Sequence, residues 1–117
     1  MSRHRWVLMH RVVVTGMGGI CALGSAWREV RSRLAGAANA VRRMPEWDCY
    51  VDLNSLLAAP VEGFEVPGHW TRRQTRGMGR VSQFAVFAAE RALTDAGLLG
   101  DPLLRGGTVG VACGSAT

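Results

Sequence analysis

The chain has 117 residues, with 14 basic and 9 acidic side chains, a formal net charge of +5, 48% hydrophobic residues and 20% charged ones. That balance argues against intrinsic disorder and acidic tails, and no apolar run approaches the ~18–20 residues that span a bilayer. Cys21, Cys49 and Cys113 are odd in number and share no Cys-x-x-Cys or Cys/His spacing, which argues against a disulfide framework or a structural zinc site and for a reducing cytoplasm.

In chain order, residues 1–10 carry Arg3, Arg5 and the short apolar run Val7-Leu8-Met9, too short for the core of a signal peptide. They are expected to form an N-terminal extension, with the start at either Met1 or Met9. Val12-Val13-Val14-Thr15 is a continuous β-branched run that predicts a strand buried on both faces, as in a parallel sheet. Gly16-Met17-Gly18-Gly19 follows as a tight turn. Ser25 then offers an N-cap oxygen, and Trp27, Val30 and Leu34 recur at helical spacing up to a stop at Gly36.

From 37 to 70, Pro45, Pro60 and Pro67 forbid long regular elements. Loops and short extended pieces are expected there, at Cys49-Tyr50-Val51 and from Ala59 to Phe64. A short helical turn should carry Arg72, Arg73 and Arg76 and break near Gly77 and Gly79. A long helix then follows, because Val81, Phe84, Ala85, Ala88, Ala92 and Ala96 obey the i, i+3/i+4 rule and Gly97 suits a C-cap. Gly107 to Cys113 predicts a second buried strand, leading into Gly114-Ser115-Ala116-Thr117. A parallel sheet needs more strands and helices on both faces, so the chain is expected to be the opening section of a larger α/β unit.

The candidate chemistry is sparse. Gly16-x-Gly18 after a strand invites a dinucleotide reading, but Cys21 stands where the third glycine would. Arg42-Arg43 would suit a 2′-phosphate, which keeps an NADP-binding domain open beside a glycine turn that serves packing alone. Cys113 and Ser115 lack a basic partner or a nucleophile elbow, so Cys113 reads as a small buried residue at a strand end. His4, His10 and His69 carry no metal signal.

Charge is the stronger signal. All basic residues are arginine, and between Glu65 and Glu90 there are four arginines and no acid. On a helix Arg72, Arg73 and Arg76 share one face, which predicts a docking surface for an acidic or phosphate-bearing partner. Only Trp70 interleaves with them and no nucleic-acid module signature is present, so nucleic acid is not the expected partner.

Taken in order, several pieces resemble the N-terminal part of a β-ketoacyl-acyl-carrier-protein synthase, a condensing enzyme of the thiolase-like fold. They are Arg11 to Gly18, Leu23-Gly24, Trp27 with Leu34-Ala35-Gly36, Ala58 to Phe64, Met78 to Ala85, Leu93 to Leu98, and Val109-Gly110-Val111 running into Gly114-Ser115. The resemblance implies an α/β chain: residues 11–117 as part of a thiolase-like αβαβα layered fold, incomplete here and ending before the catalytic cysteine region. It implies a decarboxylative condensation of an acyl thioester with malonyl on acyl carrier protein, in fatty-acid or polyketide synthesis. The nucleophilic cysteine and two histidines of such enzymes find no counterpart in this chain, so no catalytic residue carries over and the segment alone is expected to be inactive. No cofactor is implied. The whole enzyme would be a cytoplasmic homodimer or synthase heterodimer.

One site carries over from the resemblance: Arg72, Arg73 and Arg76 match the basic patch that docks acyl carrier protein. Gly77 and Gly79 depart from the family's basic and acidic residues there, and Ala116-Thr117 from its glycine-rich continuation. A non-catalytic carrier-binding partner of a synthase stands as the alternative.

Overall fold

Alanine and periodicity account for the longest element. A computed structural model describes residues 11–114, so the expected extension 1–10 and Ser115 to Thr117 lie outside the described residues. The first helix, α1, is Trp27–Ala35; the second, α2, is the single turn Arg72–Thr75; the third, α3, is the sixteen-residue Arg80–Asp95. At the end of α3 the backbone N–H of Gly97 donates to Thr94 O at 3.0 Å, and Gly97 takes φ +69. A side chain is strained in that left-handed region. Gly97→Ala should therefore cost about 1 kcal/mol, read as a lowered thermal midpoint.

α1 ends where expected but is capped differently. Its N-cap is Ala26, with no side-chain cap bond. The helix begins at Trp27, so Ser25 lies one residue too early to hold that position. At the other end Ala37, not Gly36, adopts the left-handed conformation, with φ +54. Its N–H donates to Leu34 O at 3.0 Å, and the N–H of Ala38 to Arg33 O at 2.8 Å.

Between α1 and α2 the proline-limited region makes one small antiparallel pair. β1 (Arg42–Arg43) faces β2 (Leu57–Ala58), with Arg42 opposite Ala58 and Arg43 opposite Leu57. The N–H of Met44 extends the ladder to Leu56 O at 2.8 Å, and Met44 is the one buried hydrophobic among the described residues, 7% exposed. A 3-10 turn, Pro45–Trp47, follows it. Cys49 to Val51, expected to be extended, continues as turns, and Ala59 to Phe64 has no strand partner. Strand pairing here falls at residues 57–58 instead.

The two expected long strands are not formed. Val12 to Thr15 and Gly107 to Cys113 have no ladder partner, and Val12, Val14 and Val111 are 93%, 81% and 89% exposed. Cys113 is likewise exposed rather than buried. A strand exists only where a neighbour accepts and donates its hydrogen bonds. The β-branched runs supply the propensity, but nothing described here supplies the neighbours. The apolar side of α1 is similarly uncovered, with Trp27 and Leu34 exposed.

The glycine turn has a clear role. A Cβ at Gly16 would lie 2.3 Å from Ala92 O, and one at Gly18 would lie 2.1 Å from Ala88 O. The turn therefore rests backbone to backbone on the alanine side of α3. The N–H of Met17 donates to Asp95 Oδ2 at 3.0 Å and fixes its position along the helix.

Candidate functional site

Thr71 starts the arginine-bearing turn. As the N-cap of α2 it accepts from the Gln74 N–H, while Gln74 Oε1 accepts from the Thr71 N–H at 2.8 Å, a reciprocal capping box. Arg76 closes the turn, its N–H donating to Arg72 O at 3.0 Å. Gly77, Met78 and Gly79 then lead into α3, and Gln83 Nε2 donates to Met78 O at 3.2 Å to hold that corner.

The turn brings all three expected arginines into one short stretch of surface. Arg72, Arg73 and Arg76 are exposed, and none is paired with a carboxylate among the described residues. The other arginine of the acid-free stretch behaves differently. Arg80 donates to Val61 O at 2.6 Å, and its guanidinium lies 5.0 Å from the centre of the Phe84 ring. Of the four arginines in this stretch, Arg80 is committed to structure and the other three pair with no carboxylate among the described residues. Like charges kept together on a short helix destabilise it, so the capping box opposes a standing repulsion.

Arg42 and Arg43 are engaged within the chain. Arg42 pairs with Glu62, and Arg43 donates to Asp48 Oδ1 at 2.7 Å. The backbone approach that a dinucleotide pyrophosphate would need at Gly16 and Gly18 is taken by α3. The glycine turn is a packing device, and the NADP-binding alternative is set aside on that geometry.

The cysteines are dispersed and free. Cys21 Sγ contacts Gly24 O at 3.4 Å, Cys49 Sγ contacts Glu46 O at 3.3 Å, and Cys113 is exposed. No His, Cys, Asp and Glu cluster suited to a metal ion occurs among the described residues. No helix is long and apolar enough to cross a membrane among them.

One contact has no precedent in the sequence pattern. The carboxylate of Glu90, on α3, meets His69 Nε2 at 2.5 Å with one oxygen and accepts from Trp70 Nε1 at 3.0 Å with the other. It therefore ties the two residues ahead of the arginine turn to the long helix. No local sequence rule links residues twenty positions apart in this way.

Known proteins are similar to this chain. The family model described as the β-ketoacyl synthase N-terminal domain matches residues 9–117. Nodulation protein E of Rhizobium meliloti (strain 1021) is 35% identical over 108 residues, covering 89% of this chain and 26% of that protein. 3-oxoacyl-[acyl-carrier-protein] synthase 2 of Staphylococcus aureus (strain COL) is 28% identical over 88 residues, covering 75% of this chain and 21% of that protein. The crystal structure of a β-ketoacyl synthase from Burkholderia phymatum STM815 superposes with a TM-score of 0.74 at 57% identity, over 80% of this chain and 23% of that one. The chain thus spans about a quarter of the length of the curated relatives it matches. Its α/β organisation, with few helices and one short strand pair described, is that of a segment of the synthase fold. By its order of elements and its match along residues 9–117, the chain belongs to the β-ketoacyl synthase family.

Proposed function

We propose that this chain is the N-terminal portion of a β-ketoacyl-acyl-carrier-protein synthase, and that Arg72, Arg73 and Arg76 dock the acyl carrier protein. The exposed, unpaired arginine turn carries the docking reading. Three guanidinium groups in an acid-free stretch raise a local positive potential, which steers and orients an acidic partner more than it adds raw affinity.

In the whole enzyme, residues 11–117 would lie in the αβαβα layered fold, with Val12 to Thr15 and Gly107 to Cys113 paired into a central sheet. The exposure of their valines, and that of Trp27 and Leu34, supports this reading, since such apolar surface normally faces a partner. The reaction joins an acyl group, held as a thioester on cysteine, to the carbanion formed when malonyl on the carrier loses carbon dioxide. A new carbon–carbon bond forms, the cysteine thiolate leaves, and a β-ketoacyl carrier results. We assign no residue of this chain to those steps. The enzyme would act in the cytoplasm in fatty-acid or polyketide synthesis, as a homodimer or synthase heterodimer.

The test is charge reversal in the complete synthase. Arg72→Glu with Arg76→Glu should raise KM for malonyl-carrier protein about tenfold at low ionic strength, with a smaller effect at high salt. Turnover of a carrier-free malonyl thioester should not change. An unchanged carrier KM at low salt overturns the docking assignment.

A further inference from the structure

The segment ahead of the arginine turn lies along α3 and runs in the same direction. Arg80 at the start of the helix holds Val61 O at 2.6 Å. The ring of Phe64 packs edge-on against Phe84 and Phe87, with centroids 5.0 and 5.5 Å away. His69 and Trp70 then meet Glu90. Ten residues of helix separate Arg80 from Glu90, an advance of about 15 Å. From there the chain must double back to Gly79, the N-cap of α3, and Arg72, Arg73 and Arg76 lie on that return.

The return leg has two fixed ends. One is covalent: Gly79 continues directly into α3. The other is the Glu90 carboxylate, both of whose oxygens are engaged and whose side chain is 25% exposed. The indole N–H of Trp70 needs an acceptor in this part-buried position, and Glu90 is the one it has. Among the described residues Glu90 forms no ion pair with Arg72, Arg73 or Arg76, so it anchors the segment without pairing with the arginines.

We infer that Glu90 is a positioning residue for partner docking: by accepting from Trp70 it sets where the arginine turn stands relative to α3. The inference rests on the docking reading above and adds a residue that touches neither the partner nor the reacting atoms. Without the anchor, Trp70 is released and the turn pivots about Gly77 and Gly79. The arginines keep their charge but lose their common register.

The measurement is steady-state kinetics of the complete synthase with malonyl-carrier protein and, separately, a carrier-free malonyl thioester. Glu90→Ala should raise KM for the carrier substrate about fivefold with kcat unchanged, the loss expected for one such bond. Trp70→Phe should do the same, and neither should alter the carrier-free reaction. Glu90→Gln retains an acceptor for the indole and should restore carrier KM to within about twofold of the parent.

Three results overturn the inference: an unchanged carrier KM in Glu90→Ala, an equal loss on the carrier-free substrate, or a Glu90→Gln variant as impaired as Glu90→Ala. If Arg72→Glu with Arg76→Glu is itself silent, the docking reading fails and this inference falls with it. If that pair is impaired and Glu90→Ala is silent, only the positioning role is lost.

Discussion

Replacing Gly18 by alanine is expected to lower stability by about 3 kcal/mol, near the upper end of the usual cost of overpacking. The added Cβ would lie 2.1 Å from Ala88 O, 2.6 Å from Ala92 N and 2.8 Å from Arg91 Cβ. Two of those atoms are helix backbone, held in the hydrogen-bonded ladder of α3, and cannot swing aside as a side-chain tip would. Relief requires the glycine turn to lift off the helix, which also breaks the bond from Met17 N–H to Asp95. Gly19 is the matched control, since a Cβ there meets nothing within 4 Å. Gly19→Ala should be nearly silent, while Gly18→Ala should lower the thermal midpoint by roughly 10 °C. Equal behaviour of the two variants would refute the close approach.

Phe64→Ala is the second large effect, about 2–3 kcal/mol. Each of its two edge-on aromatic pairs contributes about 0.5–1.5 kcal/mol beyond buried area, and the lost area adds to that. Phe64 is only half-buried, so the full cost of emptying a core is not reached. Phe64→Leu keeps most of the volume and should lose less than about 1.5 kcal/mol. Amide exchange separates local from global effects: Phe64→Ala should deprotect the 61–70 segment more than α3 itself. Uniform deprotection would mean that the ring supports the helix rather than the segment laid on it.

What could be read ahead of the structure followed local chemistry. α3 was legible because periodicity, alanine content and Gly97 agree, and the arginine turn because Arg72, Arg73 and Arg76 fall at helical spacing ahead of Gly77 and Gly79; the Thr71–Gln74 capping box that starts it was not part of that reading. The strands at Val12 to Thr15 and Gly107 to Cys113 were not realised, because β-branching predicts a tendency while hydrogen-bonded neighbours decide the outcome. Ser25 failed as a cap by one residue of register. The partner of Gly16 and Gly18 was present in the sequence as Ala88, Ala92 and Ala96, small residues on one helix face, but spacing alone does not pair two distant small-residue patterns. Glu90 was illegible for a similar reason. It stands twenty residues from Trp70, and no local rule links an acid on a helix to an indole in a loop.

The uncovered valines near the two ends of the described chain also bear on synthesis. About 95 residues separate Val14 from Val109. At ~5–20 residues per second, a ribosome takes roughly 5–20 s to bridge that interval. Throughout it, the first β-branched run is exposed apolar chain of the kind that recruits other chains, with Arg11 as its adjacent charge. The native surface offered by α3, complete by Asp95, reaches only the turn after that run, at Gly16 and Gly18. The helix thus holds the glycine turn that follows the run and leaves Val12, Val13 and Val14 themselves uncovered.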